Sequence, residues 1–382
     1  MQHILIAPNA FKHALDAQDA AEAIGQGLLE SRLDCRVTLF PIGDGGDGTC
    51  RLIHEKLAGQ LVTITVSDPL GRPIQASYSL IDKGKTAVIE MADASGIRLL
   101  HPDERAPLLT SSRGTGEMIR HALANGVSRI VLGMGGSATV DGGCGILHAL
   151  GVRFLNEKGE ELTPIPKDLQ KLHHIDRSGI DSRLEKCDIT ILCDVENRLL
   201  GAQGAASVFG PQKGASSTDI GTLDTFLRTL SEIALRETGK GMATVISGGT
   251  AGGAAAGMYT FTNARLVNGI AHFMELTGYE RALQNADWLI TGEGSLDEQT
   301  LGGKGPFGVA SLAKKHSIPV IGLAGRVPLE PSRELQGLFD VLLPISHEAM
   351  SLEQALETTR SNLYRTAKML GNLIALGCLG LK

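Results

Sequence analysis

Short apolar runs alternate with amphipathic stretches at both ends of this chain, and that alternation constrains the fold most. Ser351 and Gln354 have capping-box spacing at the start of the final helix, and Asp16 is placed to cap the helix after the first apolar run. Strand–helix alternation of this kind is typical of a doubly wound α/β sheet. We therefore expect one parallel sheet to contain the five apolar runs 3–8, 36–41, 288–291, 318–322 and 340–344.

The middle of the chain follows a different pattern. Residues 61–92 contain strand-like runs separated by turn sequences such as Asp82-Lys83-Gly84, which is typical of antiparallel hairpins. Farther along, helices and strands alternate again, and a long helical stripe over about 219–238 ends at Gly239. The sequence therefore predicts an α/β fold of two domains. A discontinuous domain with a doubly wound sheet would comprise 1–60 plus 285–382, and an inserted mixed α/β domain would comprise 61–284.

Charge and cysteine content exclude several functional classes. The formal net charge is −6 and the pI is near 6.0, so the chain lacks the basic surface of a nucleic-acid-binding protein. The six cysteines have neither zinc-site nor redox-motif spacing. No apolar run approaches the ~18 residues of a membrane span, and the N-terminus lacks the pattern of a signal peptide. We expect a cytoplasmic protein with no nucleic-acid or membrane partner; the sequence sets no oligomeric state.

Glycine is unusually abundant, with 48 of 382 residues, against roughly 7% in ordinary proteins. Most of the main glycine loops also carry an acidic residue; the loops are 43–49, 133–145, 193–197 with its continuation 209–214, 248–253, and 291–297 with its continuation 303–305. Ligands of open α/β sheets bind beyond the carboxyl ends of strands, where four of these loops begin. We therefore expect one cleft to bring together the loops 43–49, 133–143, 193–197 and 291–297.

Familiar nucleotide-binding motifs match poorly. Gly84-Lys85-Thr86 has the end of a P-loop sequence, but Ser79 occupies the position of the first glycine and the segment lies between hairpin strands. Gly133-Met134-Gly135 follows a predicted strand, and Ala138 stands at the last position of a dinucleotide fingerprint, which tolerates alanine. This partial match leaves a nicotinamide-dependent dehydrogenase open as an alternative.

The glycine loops suit an anionic ligand. Successive backbone N–H groups form an anion-binding nest, helped by the dipole of the following helix. Carboxylates are the ligands that Mg²⁺ takes together with substrate phosphates. With Lys12, Lys213 and Lys304 close by in sequence, the loops suit phosphoryl transfer from Mg-ATP. The structural alternatives are helix-capping aspartates, solvated lysines, and glycines at 248–257 that only permit close helix packing.

A series of motifs carries a more specific resemblance. In chain order they are Ile6-Ala7-Pro8 with Phe11-Lys12, Asp44-Gly45-Gly46-Asp47-Gly48-Thr49, Asp68-Pro69-Leu70-Gly71, Ile89-Glu90-Met91-Ala92 with Ala94-Ser95-Gly96, Gly114-Thr115-Gly116-Glu117, Gly135-Gly136-Ser137-Ala138-Thr139 with Asp141-Gly142-Gly143, Cys193-Asp194-Val195, Phe209-Gly210-Pro211-Gln212-Lys213-Gly214-Ala215, and Ile290-Thr291-Gly292-Glu293-Gly294. With these motifs the chain resembles the type I glycerate kinases over essentially its whole length. The resemblance implies ATP-dependent phosphorylation of D-glycerate to 2-phosphoglycerate. It also implies two α/β domains, one of them flavodoxin-like, with the site in the cleft between them.

The resemblance and the loop positions together suggest site residues. Asp194 directly follows a predicted buried strand, and we expect it to act as the base or to orient the attacking hydroxyl. Asp44 would bind metal or substrate. The sequence leaves open which of the two aspartates has which role, and both carboxylates are candidate Mg²⁺ ligands. Lys12 is the third candidate catalytic residue, in contact with a phosphate or the glycerate carboxylate. The expected cofactor-binding residues are Gly135, Gly136, Ser137, Thr139, Lys213, Glu293 and Lys304.

Several positions depart from the family pattern. The family has Asp-Ser at Asn9-Ala10, Glu at Asp47 and Asn at Val140; it has Pro at Arg198 and Arg at Ser295. The changes at 9 and 10 remove a carboxylate and a hydroxyl near Lys12. Two further alternatives therefore stay open. One is a kinase paralogue that acts on a related small hydroxy acid, and the other is a non-catalytic protein that binds glycerate or nucleotide.

Overall fold

The structure of the chain, a computed structural model, describes residues 1–298 and 300–378. The strands are, in chain order, β1 (Gln2–Ile6), β2 (Cys35–Leu39), β3 (Gln60–Ser67), β4 (Pro73–Ile81), β5 (Thr86–Glu90), β6 (Arg129–Gly133), β7 (Arg153–Leu155), β8 (His174–Asp176), β9 (Asp188–Cys193), β10 (Arg265–Asn268), β11 (Trp288–Ser295), β12 (Val320–Arg326) and β13 (Val341–Pro344).

The α-helices connect and cover these strands. They are α1 (Ala17–Leu29), α2 (Thr49–Lys56), α3 (Ala92–Ser95), α4 (Arg113–Ala124), α5 (Cys144–Ala149), α6 (Pro166–Leu169), α7 (Ala205–Phe209), α8 (Ser217–Thr238), α9 (Ala254–Phe261), α10 (Gly269–Thr277), α11 (Tyr279–Leu283), α12 (Gly305–Lys315), α13 (Arg333–Leu338), α14 (Leu352–Glu357) and α15 (Thr359–Cys378).

The chain divides into two compact units, of which the first comprises residues 1–44 and 270–382. Its five-stranded sheet has the order β13-β12-β11-β1-β2, and every pairing is parallel. The predicted sharing of one parallel sheet by the five apolar runs is confirmed. Counted along the unit, the order is 2-1-3-4-5, which is the flavodoxin order. The order reverses between β1 and β11, so the ligand-binding position of such a sheet lies beyond the carboxyl ends of these two strands.

Helices α1 and α15 cover one side of the first sheet. Their apolar faces meet a core that includes Ile6, Ile24 and Leu363, each fully buried. Asp16 caps α1 as predicted, because its carboxylate accepts the N–H of Asp19. The capping box at Ser351 is also present, but the helix that it starts ends at Glu357, and α15 begins separately at Thr359.

The second unit comprises residues 45–269. Its six-stranded sheet has the order β10-β9-β6-β5-β4-β3. The four strands β10, β9, β6 and β5 pair in parallel, whereas β4 and β3 continue the sheet as an antiparallel hairpin. The predicted helix over 219–238 is α8, which begins with a capping box and ends at Gly239 in the left-handed conformation. The unit is therefore a mixed α/β structure.

The observed partition differs from the expected one at both junctions. Residues 45–60 belong with the second unit because α2 packs on β5, where the Glu90 carboxylate accepts the N–H groups of Gly48 and Cys50. Residues 270–284 belong with the first unit, where the ring of Tyr279 packs edge-on against Phe40 at 5.1 Å. Neither packing partner is adjacent in sequence. Within the described residues, no helix combines the length and apolar character needed to cross a bilayer.

Candidate active site

The first group of candidate residues lies at the reversal point of the first sheet. Beyond β1 the chain continues beside β11, because the Asn9 N–H donates to the Gly292 carbonyl oxygen at 2.8 Å. The Thr291 hydroxyl also donates to the Ala7 carbonyl oxygen at 2.7 Å. Lys12 is exposed, and its backbone nitrogen lies 3.9 Å from the position that a Cβ on Gly294 would occupy. Asn9 and Lys12 therefore lie at the end of β11.

Asp44 is buried and held by two donors. Its Oδ2 accepts the Asn9 side-chain amide at 2.8 Å and the Gly305 N–H, in the first turn of α12, at 3.3 Å. A carboxylate in this position is stabilised by the helix dipole. Position 9 is one of the departures from the family pattern, and the amide present here donates to Asp44, which an ionised aspartate could not do. Asp44 is thus fixed in orientation at the reversal point of the sheet.

Glu293 lies in β11 and is only 6% exposed. Burial raises the pKa of its carboxyl to about 7, and the negative charge of Asp44 acts in the same direction. Lys304 and Lys12 favour the ionised form, and the Thr300 hydroxyl donates to Glu293 Oε1 at 3.2 Å. The first unit therefore brings four predicted site residues into one electrostatic neighbourhood: Lys12, Asp44, Glu293 and Lys304.

The second group lies at the carboxyl edge of the second sheet. Glu90 is in register with Gly133, and Gly133 with Leu192, so β5, β6 and β9 end side by side. Asp194, half-buried, follows β9 directly at this edge. The predicted cofactor-binding loop that begins at Gly135 follows β6 at the same edge. Asp194 and this loop therefore lie at adjacent strand ends.

Loop 45–48 packs closely on this edge. The Gly135 N–H donates to the Gly45 carbonyl oxygen at 3.1 Å. A Cβ at position 135 would lie 2.4 Å from the Asp47 nitrogen, so only glycine permits this approach. Gly136 has a φ of +69°, a conformation that also favours glycine. Backbone packing by itself therefore accounts for both glycines.

Lys213 is the most unusual side chain at this edge. It is only 3% exposed, and its Nζ donates to the Ser137 hydroxyl and to the Thr139 carbonyl oxygen, each at 2.8 Å. Burial lowers the pKa of the ammonium group to about 7, although the charge of Asp141 opposes the shift. The Thr139 hydroxyl is buried with no hydrogen-bond partner in the described residues. Three predicted residues therefore form a buried cluster of donors.

Asp141 has a structural role. It is fully buried, and its carboxylate accepts the Ser112 hydroxyl and the N–H groups of Ser112, Gly143 and Gly145 at 2.7–3.1 Å. These donors lie at the beginnings of α4 and α5. Asp141, the aspartate of the second glycine loop, thus anchors the beginnings of two helices, which agrees with the structural alternative of helix-capping aspartates.

Sequence reasoning missed an acidic cluster around Glu90. This side chain is buried, and burial together with the charges of Asp47 and Asp93 raises the pKa of its carboxyl to about 8. Arg98 forms ion pairs with Asp47 at 2.8 Å and with Asp93. Glu90 is the only charged residue of β5 and stands at its carboxyl end, which is the one local signal that could have indicated it.

The remaining predicted loops have mixed outcomes. At Gly252 a Cβ would lie 2.1 Å from the Thr139 carbonyl oxygen, so loop 248–253 is a close-packing element. The dinucleotide fingerprint after Gly133 is not supported, because the next helix, α5, begins only at Cys144. Loop 291–297 lies in the first unit, whereas 133–143 and 193–197 lie in the second. Convergence of all four loops on one cleft stays a prediction.

Comparisons with known proteins give a consistent result. A family model described as "Glycerate kinase family" matches residues 4–375. A glycerate kinase from Bacillus subtilis is 41% identical over 96% of each chain. A glycerate 2-kinase from Escherichia coli K12 is 38% identical over 98% of each chain. The crystal structure of a "putative glycerate kinase 2" from Salmonella typhimurium LT2 superposes with a TM-score of 0.83, at 40% identity, over 99% of this chain and 100% of that one.

Proposed function

The chain belongs to the glycerate kinase family, as its motifs predicted, and we propose that it transfers the γ-phosphoryl group of ATP to D-glycerate, giving 2-phosphoglycerate. The observation that carries this proposal is the extent of the match. Residues 4–375 cover the second unit and most of the first, with every loop that holds a candidate site residue. We also expect the enzyme to act in the cytoplasm.

The cluster of Lys213, Ser137 and Thr139 is suited to a phosphate group of ATP. An ammonium group has three donors, and two of those on Lys213 are used by the protein. The Thr139 hydroxyl has no partner in the described residues and can donate as well. Buried donors of this kind are costly unless a ligand completes them. Backbone N–H groups at Gly135 and Gly136 would extend this anion site. Glu293 and Lys304 are the further nucleotide-binding residues that we propose.

We propose Asp44 as the Mg²⁺ ligand and keep Asp194 for the base described below. In nucleotide-dependent enzymes Mg²⁺ is bound by one or two carboxylates together with substrate phosphates, so a single aspartate held in a fixed orientation suits it. Within the described ranges no group of three or more His, Cys, Asp or Glu side chains could hold a metal ion by protein ligands alone. When bound, Mg²⁺ would neutralise charge on the phosphates. Asn9 and the N-terminus of α12 would hold Asp44 in place for this role.

The chemical step itself needs a group that orients the attacking hydroxyl and removes its proton. We assign this to Asp194, which is half-buried directly after the rigid strand β9. Lys12 is exposed at the end of β11 and would contact the glycerate carboxylate or a phosphate. As the new O–P bond forms, the bond between the γ-phosphorus and the β,γ-bridging oxygen would break, ADP would leave with that oxygen, and Asp194 would take up the proton of the hydroxyl.

A substrate panel tests the proposal. The enzyme is incubated with Mg-ATP and D-glycerate, L-glycerate, D-lactate or glycolate, and ADP release is followed by a coupled assay. Turnover should depend on ATP and be fastest with D-glycerate. A preference for another hydroxy acid would support the paralogue alternative. Thermal stabilisation by NAD(P) without ADP release would instead favour the dehydrogenase.

A further inference from the structure

Strand β3 is an edge strand without the usual protection. It ends the six-stranded sheet, so no strand of the described residues pairs with its outer side. Edge strands in natural proteins are commonly protected by charged residues, proline or short length. The eight residues of β3 include no charged residue and no proline. Its outer backbone N–H and C=O groups therefore form a template for pairing with another strand.

Every other edge strand in the described part of the chain has such a feature. β2 contains Arg36, β10 contains Arg265, and β13 ends at Pro344 after only four residues. The small β7–β8 sheet has Arg153 in one strand and Asp176 in the other. β3 thus differs from all of them, which indicates that its edge is kept available rather than blocked.

The sequence of β3 is symmetrical about Ile64. Val62-Thr63-Ile64-Thr65-Val66 is the same in both directions. If two copies paired antiparallel about a two-fold axis at Ile64, Thr63 would face Thr65 of the second copy and Val62 would face Val66. Threonine pairs and β-branched pairs are favourable across antiparallel strands. A self-complementary surface is what a two-fold interface requires.

The two faces of β3 are compatible with this pairing. Thr63 and Thr65 are exposed on one face, where they hydrogen-bond to Ser77 and Gln75 of β4. On the other face an open groove of about 480 Å³ lies between β3 and α4, lined by Ile64 and Val66 on the strand side and mainly by polar side chains on the helix side. The groove leaves room beside β3 for side chains of a second strand, with apolar ones against Ile64 and Val66.

We propose that two copies of this chain associate through antiparallel β3–β3 pairing centred on Ile64, which joins their six-stranded sheets into one. The interface places residue 63 of each copy opposite residue 65 of the other. The resulting contact is independent of the catalytic residues proposed above. The register also predicts that charges introduced at positions 63 and 65 would face each other across the interface.

Two double variants test this geometry in the full-length enzyme. Thr63→Lys with Thr65→Lys places like charges opposite each other, and the dimer dissociation constant should rise roughly tenfold or more. Thr63→Lys with Thr65→Glu places opposite charges together in the antiparallel register, and dimerisation should be retained and become salt-sensitive. Gln75→Lys is the matched control, because it adds charge to the same face one strand away from the edge. All three substituted positions are exposed, and circular dichroism verifies folding.

Analytical ultracentrifugation and light scattering over a concentration series give the result. A wild-type dimer that the Lys/Lys variant dissociates, and that the Lys/Glu and Gln75→Lys variants retain, supports the proposal. A wild-type protein that stays monomeric at the highest concentration reached overturns it. A dimer that all variants retain equally, or that both double variants dissociate equally, also overturns it.

Discussion

The ammonium group of Lys213 lies 2.8 Å from the hydroxyl of Ser137, although 76 residues separate them in sequence. The lysine is buried, and within residues 1–298 and 300–378 none of its hydrogen bonds is to a carboxylate. Lysine is almost never fully buried unless it is paired. A buried, incompletely paired cation at the end of β6 is therefore the feature that the proposed anion site explains most directly.

Lys213→Met removes this cation while keeping most of the side-chain volume. We expect kcat/KM to fall about 10²–10³-fold, the loss typical of one preorganised donor to a developing charge. Lys171→Met is the control, because Lys171 is exposed in the same unit. Steady-state kinetics on both variants checks the prediction. Equal activity of Lys213→Met and the control would remove Lys213 from the site.

The low pKa of Lys213, about 7, predicts a pH dependence. Because the protonated form is required, kcat/KM should fall as pH rises above about 7. In Lys213→Arg the charge persists at all accessible pH values, so the fall in kcat/KM above pH 7 should be absent from any activity that remains.

The same pKa predicts that the contribution of Lys213 to the free energy of unfolding rises with pH. Between pH 7 and the ordinary lysine pKa of about 10.4, the unfolded chain binds more protons at this group than the folded chain, so stability increases with pH over this range. Profiles of kcat/KM against pH test the first prediction, and melting curves across the same pH range test the second. A fall in kcat/KM above pH 7 that is the same in the arginine variant as in the wild type would contradict the role of Lys213.

A substitution at Thr139 should affect ligand binding without lowering stability, because its buried hydroxyl has no hydrogen-bond partner in the described residues. Thr139→Val removes a buried hydroxyl that has no partner in the described residues, so Tm without ligand should stay the same or rise. The Tm increase caused by Mg-ATP should shrink, since a donor to the ligand is lost.

Thr260→Val is the matched control for that measurement. Its hydroxyl is also buried and unpartnered in the described residues, but it lies on α9 outside the proposed site. It should have a similar effect on Tm and none on the shift caused by Mg-ATP. A normal Mg-ATP shift in Thr139→Val would place the Thr139 hydroxyl outside the nucleotide site.

Asp194→Asn tests the assignment of the base. Loss of a general base typically lowers the rate about 10²–10⁴-fold, so kcat should fall by that factor with little change in Tm. A kcat within about threefold of wild type would rule out the catalytic role. A normal kcat with a strongly raised KM would make Asp194 a substrate-binding residue instead.

The strands of the first sheet were predictable from local hydrophobic pattern. Apolar runs bounded by turns located β1, β2, β11, β12 and β13, because buried parallel strands are continuously apolar. The junctions between the units did not follow from pattern. α2 lies inside the stretch 1–60 that was predicted to belong to the first domain, but its place beside β5 is fixed by Glu90, forty residues beyond Cys50.

The site was predictable only in part for the same reason. Lys213 and Ser137 could be named from their motifs, but their contact and the burial of the lysine depend on packing between remote segments. Glu90 was missed as a site residue because a single acid at the end of an apolar strand is an ordinary pattern. Its raised pKa arises from Asp47 and Asp93, which the fold brings to it, and from burial.

Identification of the phosphorylated hydroxyl tests the central claim most directly. The product of the reaction with Mg-ATP and D-glycerate is purified and given to enolase without phosphoglycerate mutase. Enolase dehydrates 2-phosphoglycerate but not 3-phosphoglycerate, so the account predicts immediate formation of phosphoenolpyruvate, up to the equilibrium of the enolase reaction. Product that enolase converts only after the mutase is added, or no phosphorylated product from D-glycerate at all, would contradict it.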